Sequence, residues 1–230
     1  MSSGEKVSLA KAFVLAGRIA NLIGPYTEET KIAGSIRRKK AMVGDIEIVV
    51  KCEDDAQYQM WAVVDSLVNQ GRVEKAEYGF KRSHRWGDRY RGMVYRDMLV
   101  EVFRADAHNW GYQLWLRTGG GEKNRYVMNR MKACQSPVRF ADGYAWWVDY
   151  DSKHPNFDFD KGYARKGKLS VPDEATLYKL LGIHQVIEPE RRSVRVYQGF
   201  LHNWVYCPSA GELRSMLVDE DRPPRQQSLF

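Results

Sequence analysis

A chain of 230 residues with 43% hydrophobic side chains has enough apolar material for one large or two small cores, which excludes a disordered or fibrous protein. No stretch of about 18 apolar residues occurs, and the first residues lack the basic start, apolar run and small-residue cleavage site of a secretory leader, so a cytoplasmic location is expected; a monomer is expected as well. Lysine and arginine outnumber aspartate and glutamate by 36 to 29, a net charge of +7 that favours a polyanionic partner through counterion release.

In chain order, Leu9, Ala12, Phe13, Ala16, Ile19, Ala20 and Ile23 recur at helical spacing and predict an amphipathic helix over 7–23, stopped by Gly24-Pro25. A short strand over 31–33, a basic glycine-bounded turn over 34–44 and a buried β-branched strand over 46–51 follow. A helix over 56–70 comes next, then strands over 72–78, 89–95 and 98–103, the last with an acid inside its apolar run. Lys81, Arg82, Arg85, Arg89 and Arg91 crowd into one segment with Trp86 and Tyr90, which could grip a phosphate backbone or simply keep a hairpin edge soluble. The composition changes after Gly111, where a Thr-Gly-Gly-Gly run leads into a helix over 122–133 and an aromatic strand over 144–150. A helix over 173–181 ends at Gly182, and Ser209 with Glu212 forms a capping box for a terminal helix. Cys52, Cys134 and Cys207 are too few and too scattered for a structural zinc site and read as reduced thiols.

The chemistry concentrates between Gly34 and Glu47. On a strand Asp45 and Glu47 share one face while Ile46 and Ile48 point to the core. Two adjacent carboxylates repel unless a cation sits between them, and hard oxygen ligands suit magnesium, which also coordinates phosphates. Upstream, Gly34-Ser35 offers backbone N–H groups and a hydroxyl to phosphate oxygens, and Arg38 can neutralise developing charge. Turn, arginine and acids together read as a triphosphate site.

Gly34-Ser35-Ile36-Arg37-Arg38 followed by Gly44-Asp45-Ile46-Glu47 resembles the signature of the polymerase beta-like nucleotidyltransferases, in the form found in the DNA polymerase X family. The resemblance implies an α+β fold: a polymerase beta-like palm, with a mixed sheet and helices packed on one face, over 1–110; a small C-terminal α+β nucleotide- and template-binding lobe over 111–207; and a terminal helix and flexible tail over 208–230. It implies two Mg2+ ions, for which Mn2+ may substitute, held by the catalytic acids Asp45, Glu47 and a third carboxylate. Glu101, in the middle of an apolar strand, is that third acid, with Asp97 as the runner-up; glutamate at 47 and 101 departs from the family's aspartates. Gly34, Ser35, Arg38 and Gly44 would hold the β- and γ-phosphates, Thr118 and Gly119 would lie beside the sugar, and Asn124 would meet the incoming base, while Met128 or a neighbour replaces a template-side arginine. Segments 167–178, 181–183 and 187–192 resemble the family's C-terminal signature, so the likeness spans about 7–192. At least one of Trp110 and Trp115 is expected in the core.

The likeness leaves no room for the N-terminal lyase and helix-hairpin-helix domains of larger members, so distributive synthesis without lyase activity is expected. Gln226, Leu229 and Phe230, at the end of a stretch containing Pro223-Pro224, resemble a bacterial sliding-clamp-binding peptide, which would tether a weakly held enzyme to its template in a bacterial or virus-infected bacterial cell. The expected activity is template-directed addition of deoxynucleotides from dNTPs to a 3′ end of primer-template or gapped DNA, in repair or replication. The alternatives are transfer of a nucleotidyl group to an RNA end, small molecule or protein, and a non-catalytic DNA- or clamp-binding accessory factor.

Overall fold

The alternation Asp45-Ile46-Glu47-Ile48 sets the architecture, because a strand with this pattern must cover its isoleucines and leave its acids on the other side. The computed structural model describes residues 5–78, 83–201 and 207–218. In chain order the first half runs α1 (Leu9–Ile23), β1 (Glu29–Ile32), α2 (Gly34–Arg37), β2 (Asp45–Lys51), α3 (Asp54–Asn69), β3 (Glu74–Lys75), β4 (Tyr90–Tyr95) and β5 (Met98–Ala105). The strands form one mixed sheet in the order β1-β2-β5-β4-β3, in which only β2 and β5 run parallel.

Ile46, Ile48 and Val50 from β2 and Val100 and Val102 from β5 lie on one sheet face against Ala12, Leu15, Ala16 and Ile19 of α1 and Met60, Trp61, Val64 and Leu67 of α3. Their burial supplies the main hydrophobic stabilisation of this half, roughly 1.5–3 kcal/mol for each large side chain. The expected helix over 7–23 begins two residues later than its apolar period suggests. Ser8 accepts a bond from the Lys11 amide at 3.4 Å and caps α1, while Val7 and Ser8 pair with Val43 and Met42 as a short ladder. The expected turn over 34–44 contains the four-residue α2, after which Lys39 takes a positive φ of 54°. The expected strand over 72–78 is split. Buried Ala76 separates β3 from Glu77–Tyr78, which pairs with Ser83–His84 outside the main sheet.

The second half runs α4 (Trp110–Thr118), α5 (Gly121–Ala133), β6 (Val138–Ala141), β7 (Tyr144–Asp149), β8 (Phe157–Asp158), β9 (Tyr163–Leu169), α6 (Glu174–Leu180), α7 (Val194–Leu201) and α8 (Ala210–Ser215). Its strands form an antiparallel sheet in the order β6-β7-β9-β8. Both tryptophans of α4 are buried. Trp110 and Leu114 pack with Ala33, Val49 and Phe103 of the first half, whereas Tyr112 and Trp115 enter a second core with Leu169, Leu177, Tyr178, Tyr197 and Leu201. That core is closed by polar contacts between large aromatic residues: Trp115 Nε1 donates to the Tyr197 hydroxyl at 2.8 Å, which lies 2.6 Å from that of Tyr178. The capping box of α8 is present, and Leu213 and Leu217 pack into the second core, with Leu217 bridging to Leu169. Residues 208–218 are thus integral to this lobe rather than a separate appendage.

The two halves are also joined by ions. Glu174 at the start of α6 accepts paired bonds from Arg37 (3.0 and 2.8 Å) and from Arg192 (2.5 and 3.0 Å). The Arg192 side chain is fully buried, so removal of the shared carboxylate strands it without a counter-charge. The two guanidiniums hold the Glu174 carboxyl below its usual range despite the opposing effect of burial. Replacement of Glu174 by alanine is expected to cost about 3–5 kcal/mol in urea-induced unfolding at neutral pH. A loss below about 1 kcal/mol would show that the triad contributes no more than an exposed ion pair.

Candidate active site

The parallel register of β2 and β5 sets Glu47 directly opposite Glu101, with Asp45 two residues earlier on the same face. This face points away from α1 and α3 and toward the turn formed by α2. Burial and, after it, the neighbouring acids shift the protonation of Asp45 and Glu47. Burial raises the Asp45 carboxyl, with Glu101 adding to the effect and Arg38 opposing it. Burial pushes Glu47 further, to about 8, helped by Asp45 and Glu101 and opposed by Arg117 and Arg38.

The turn fits this strand closely. Ala33 N–H donates to the Glu47 carbonyl at 2.8 Å, and Gly34 adopts φ +60°, a conformation costly for other residues. A Cβ on Gly34 would lie 2.3 Å from Oε2 of Glu47, so glycine is required both by the backbone angle and by the neighbouring acid. Ser35 Oγ is buried without a hydrogen-bond partner among the described residues, which suits a hydroxyl held for a ligand oxygen. Arg38 donates to the Thr118 carbonyl at 2.5 Å and faces Asp45 and Glu47 electrostatically.

Three elements of the site were not expected. Tyr78 donates to Oε1 of Glu101 at 2.9 Å, and Tyr90 donates to the same oxygen, so two phenols fix the third acid through one oxygen, while Oε2 accepts no hydrogen bond from a described residue. Gly92, paired with Glu101 across the sheet, makes room for them, since a Cβ there would lie 2.1 Å from the Tyr78 hydroxyl. Arg117 lies over the Phe103 ring at 3.7 Å, and its charge opposes the rise of the Glu47 carboxyl. A strand-spaced tyrosine and a glycine opposite the acid were visible in the sequence. Pairing Tyr78 with Tyr90 required knowing that the chain leaves the sheet at Ala76.

Several expected ligand contacts have other partners. Thr118 is fully buried; its hydroxyl accepts from Arg37 at 2.8 Å and its carbonyl from Arg38, so it anchors the arginines instead of facing a sugar. Asn124 spends its amide on the Leu116 carbonyl at 2.9 Å, leaving Oδ1 buried and unbonded. Gly119 is crowded by Lys123, whose Nζ would lie 2.1 Å from an added Cβ. Gly44 stands immediately before Asp45, beside the Lys6 side chain.

The basic segment divides as well. Arg91 is a correction to the expected DNA-binding set: it is buried between the Trp61 and Trp86 rings and donates to Asp65 at 2.7 Å, which makes it a structural cation. Arg85 lies over Tyr78, and Arg89 donates to the Asp142 carbonyl at 3.0 Å. Lys81 and Arg82 fall outside the described residues, as do Gln226, Leu229 and Phe230.

Among the described residues, no group of three His, Cys, Asp or Glu side chains could hold a metal ion by itself. Magnesium rarely uses such an all-protein cage. It binds through one or two carboxylates completed by water and substrate phosphates. An acid face with two raised carboxyls, beside a free serine hydroxyl, therefore has the donor chemistry for ions that arrive with a phosphate substrate.

No family model matches the chain, and no curated protein matches it. Among solved structures, it is similar to the polymerase beta of Leishmania infantum, crystallised as a ternary P/T complex, at 14% identity and a TM-score of 0.60, over 83% of this chain and 78% of that one. The likeness shows a polymerase beta-like fold, in agreement with the mixed sheet and its covering helices. No helix among the described residues is long and apolar enough to cross a membrane.

The protonation of Glu47 gives a pH dependence whose sign follows from linkage. With its carboxyl at about 8 when folded and 4.5 ordinarily, the native state keeps a proton that the unfolded chain has released across this window. Its stabilising contribution is full below the ordinary value and is lost as pH rises through the folded one. With divalent ions chelated, the melting temperature is expected to fall more steeply between about pH 5 and 8 for the unaltered protein than for Glu47→Gln. Parallel curves would show that the acid titrates normally.

Proposed function

We propose that the chain is a template-directed DNA polymerase that adds deoxynucleotides from dNTPs to a DNA 3′ end, filling short gaps in repair or replication. The observation that carries this reading is the juxtaposition of Asp45, Glu47 and Glu101 on one sheet face with the Gly34-Ser35 turn and Arg38, within a polymerase beta-like fold. The similar polymerase was solved as a ternary P/T complex, which supports a DNA substrate.

Two magnesium ions bound by Asp45, Glu47 and Glu101, replaceable by manganese, would supply Lewis acidity at the attacking and departing oxygens. The protein's own groups do the remaining work. Ser35 offers its hydroxyl to a phosphate oxygen, and Arg38 places positive charge beside the triphosphate. Tyr78 and Tyr90 hold Glu101 in one orientation, so the acid nearest the primer hydroxyl is preset. The 3′-oxygen attacks the α-phosphorus in line, the bond to the β-phosphate oxygen breaks, and pyrophosphate leaves. Arg85 and Arg89, with Lys81 and Arg82, would meet the DNA backbone, and the Gln226–Phe230 tail would dock on a sliding clamp.

The test is extension of a labelled primer on a one-nucleotide-gapped template, with each dNTP separately and with magnesium or manganese. Extension by the templated nucleotide alone is expected, reduced by about 100-fold or more in Asp45→Ala. Incorporation that ignores the template would point to another nucleotidyl acceptor. No incorporation with either metal would sink the enzymatic reading.

A further inference from the structure

A cleft of about 400 Å³ opens beside Arg38, between the end of α2, the start of α5 and the start of α7, and neither Ser35 nor any of the three acids lines it. Arg38, Lys40, Lys123, Arg192 and Arg195 line it, against two acids, Glu122 and Glu190. Glu190 is already neutralised by Lys39 at 2.5 Å, and Arg192 by Glu174. Lys40 and Arg195 have no ion pair with a described residue.

Two further observations give the cleft its sign. The first turns of α5 (13 residues) and α7 (8 residues) border it, so the positive ends of two helix dipoles lie beside it; Gly120 provides no side-chain cap for α5, whereas at α7 the Val196 N–H donates to Ser193 Oγ at 3.4 Å. Lys123 is 1% exposed, and its ammonium has no hydrogen-bond partner among the described residues; it lies over the Trp115 ring at 3.3 Å and the Tyr197 ring at 5.3 Å. A buried, unbonded cation is costly unless something anionic completes it. Burial, with the charges of Arg192 and Arg38, lowers the Lys123 pKa well below normal, against the opposing charge of Glu174.

We propose that this cleft is a second phosphate subsite, which binds a linked phosphate chain such as inorganic triphosphate or pyrophosphate. Its volume is more than ten times a water's share of about 30 Å³, and its cations are spread over three chain segments, which suits an extended polyanion better than a single orthophosphate. Arg38 would be common to this cleft and the Ser35 turn, so a chain bound here would continue, or follow, the triphosphate at the acids. That continuity rests on the nucleotidyl-transfer reading; the anion site itself does not.

The experiment is titration calorimetry of the full chain with inorganic triphosphate at constant ionic strength and with divalent ions chelated. Triphosphate is expected to bind more tightly than orthophosphate, and Lys40→Gln with Arg195→Gln to weaken it by about 10-fold or more. Lys123→Met, nearly isosteric, is expected to weaken binding similarly; the surface pair carries the test if that variant fails to fold. Equal affinity in the surface pair, no binding by the unaltered protein, or tighter binding of orthophosphate would overturn the proposal. So would displacement of triphosphate by a 5′-phosphorylated oligonucleotide but not by its 5′-hydroxyl counterpart, which would assign the cleft to a DNA end. Binding without primer extension would leave the subsite standing and remove the polymerase reading; extension without binding would do the reverse.

Discussion

Three carboxylates on one side of two parallel strands are an electrostatic burden, and much of the first half is arranged around it. The parallel pairing that aligns Glu47 with Glu101 also aligns Ile46 with Val100 and Ile48 with Val102, so the same register that assembles the acids assembles the apolar face beneath α1 and α3. A slip of one residue would send the acids into the core and the isoleucines to the surface. The hydrophobic cost of that slip is what keeps mutually repelling groups together. The surroundings complete the arrangement: Gly34 withdraws a Cβ from Glu47 and Gly92 one from Tyr78, Tyr78 and Tyr90 occupy one oxygen of Glu101, and Arg38 and Arg117 bring positive charge.

The sequence disclosed most of this face because its information is local. Asp45 and Glu47 share a strand, the Gly34-Ser35 turn lies within a dozen residues, and Glu101 stands out as an acid inside an apolar run. What escaped was long-range or two-sided. Arg91 reads as one more surface cation until Trp61 and Asp65, from α3, are seen to enclose it. The helix α4 shows no polar stripe, because residues Trp110 through Trp115 are all buried, and a helix covered on both sides has no amphipathic period to detect. Lys123 carries no signal of burial in its own type, since lysine is among the residues least often enclosed. The conversion of Thr118 from a ligand contact to an anchor depends on Arg37 and Arg38, some 80 residues away.

The arginine pair after Ile36 divides its work between two tasks that the sequence presents as one motif. Arg38 faces the acids, whereas Arg37 turns to Glu174 and so ties the turn to α6. The phosphate-binding turn is therefore positioned from both lobes: through its backbone by β2, and through a side chain by an element 137 residues further on. A shift of α6 would be felt at Ser35 without any contact between the two.

The double burial of α4 has a consequence for how the molecule comes apart. Trp110 and Leu114 belong to one core, Tyr112 and Trp115 to the other, on a single nine-residue rod. Neither core can melt while this rod stays folded in the other without exposing aromatic surface along half its circumference. The two lobes are thus expected to unfold as one cooperative unit, despite having separate sheets, and neither is expected to survive as a folded proteolytic fragment.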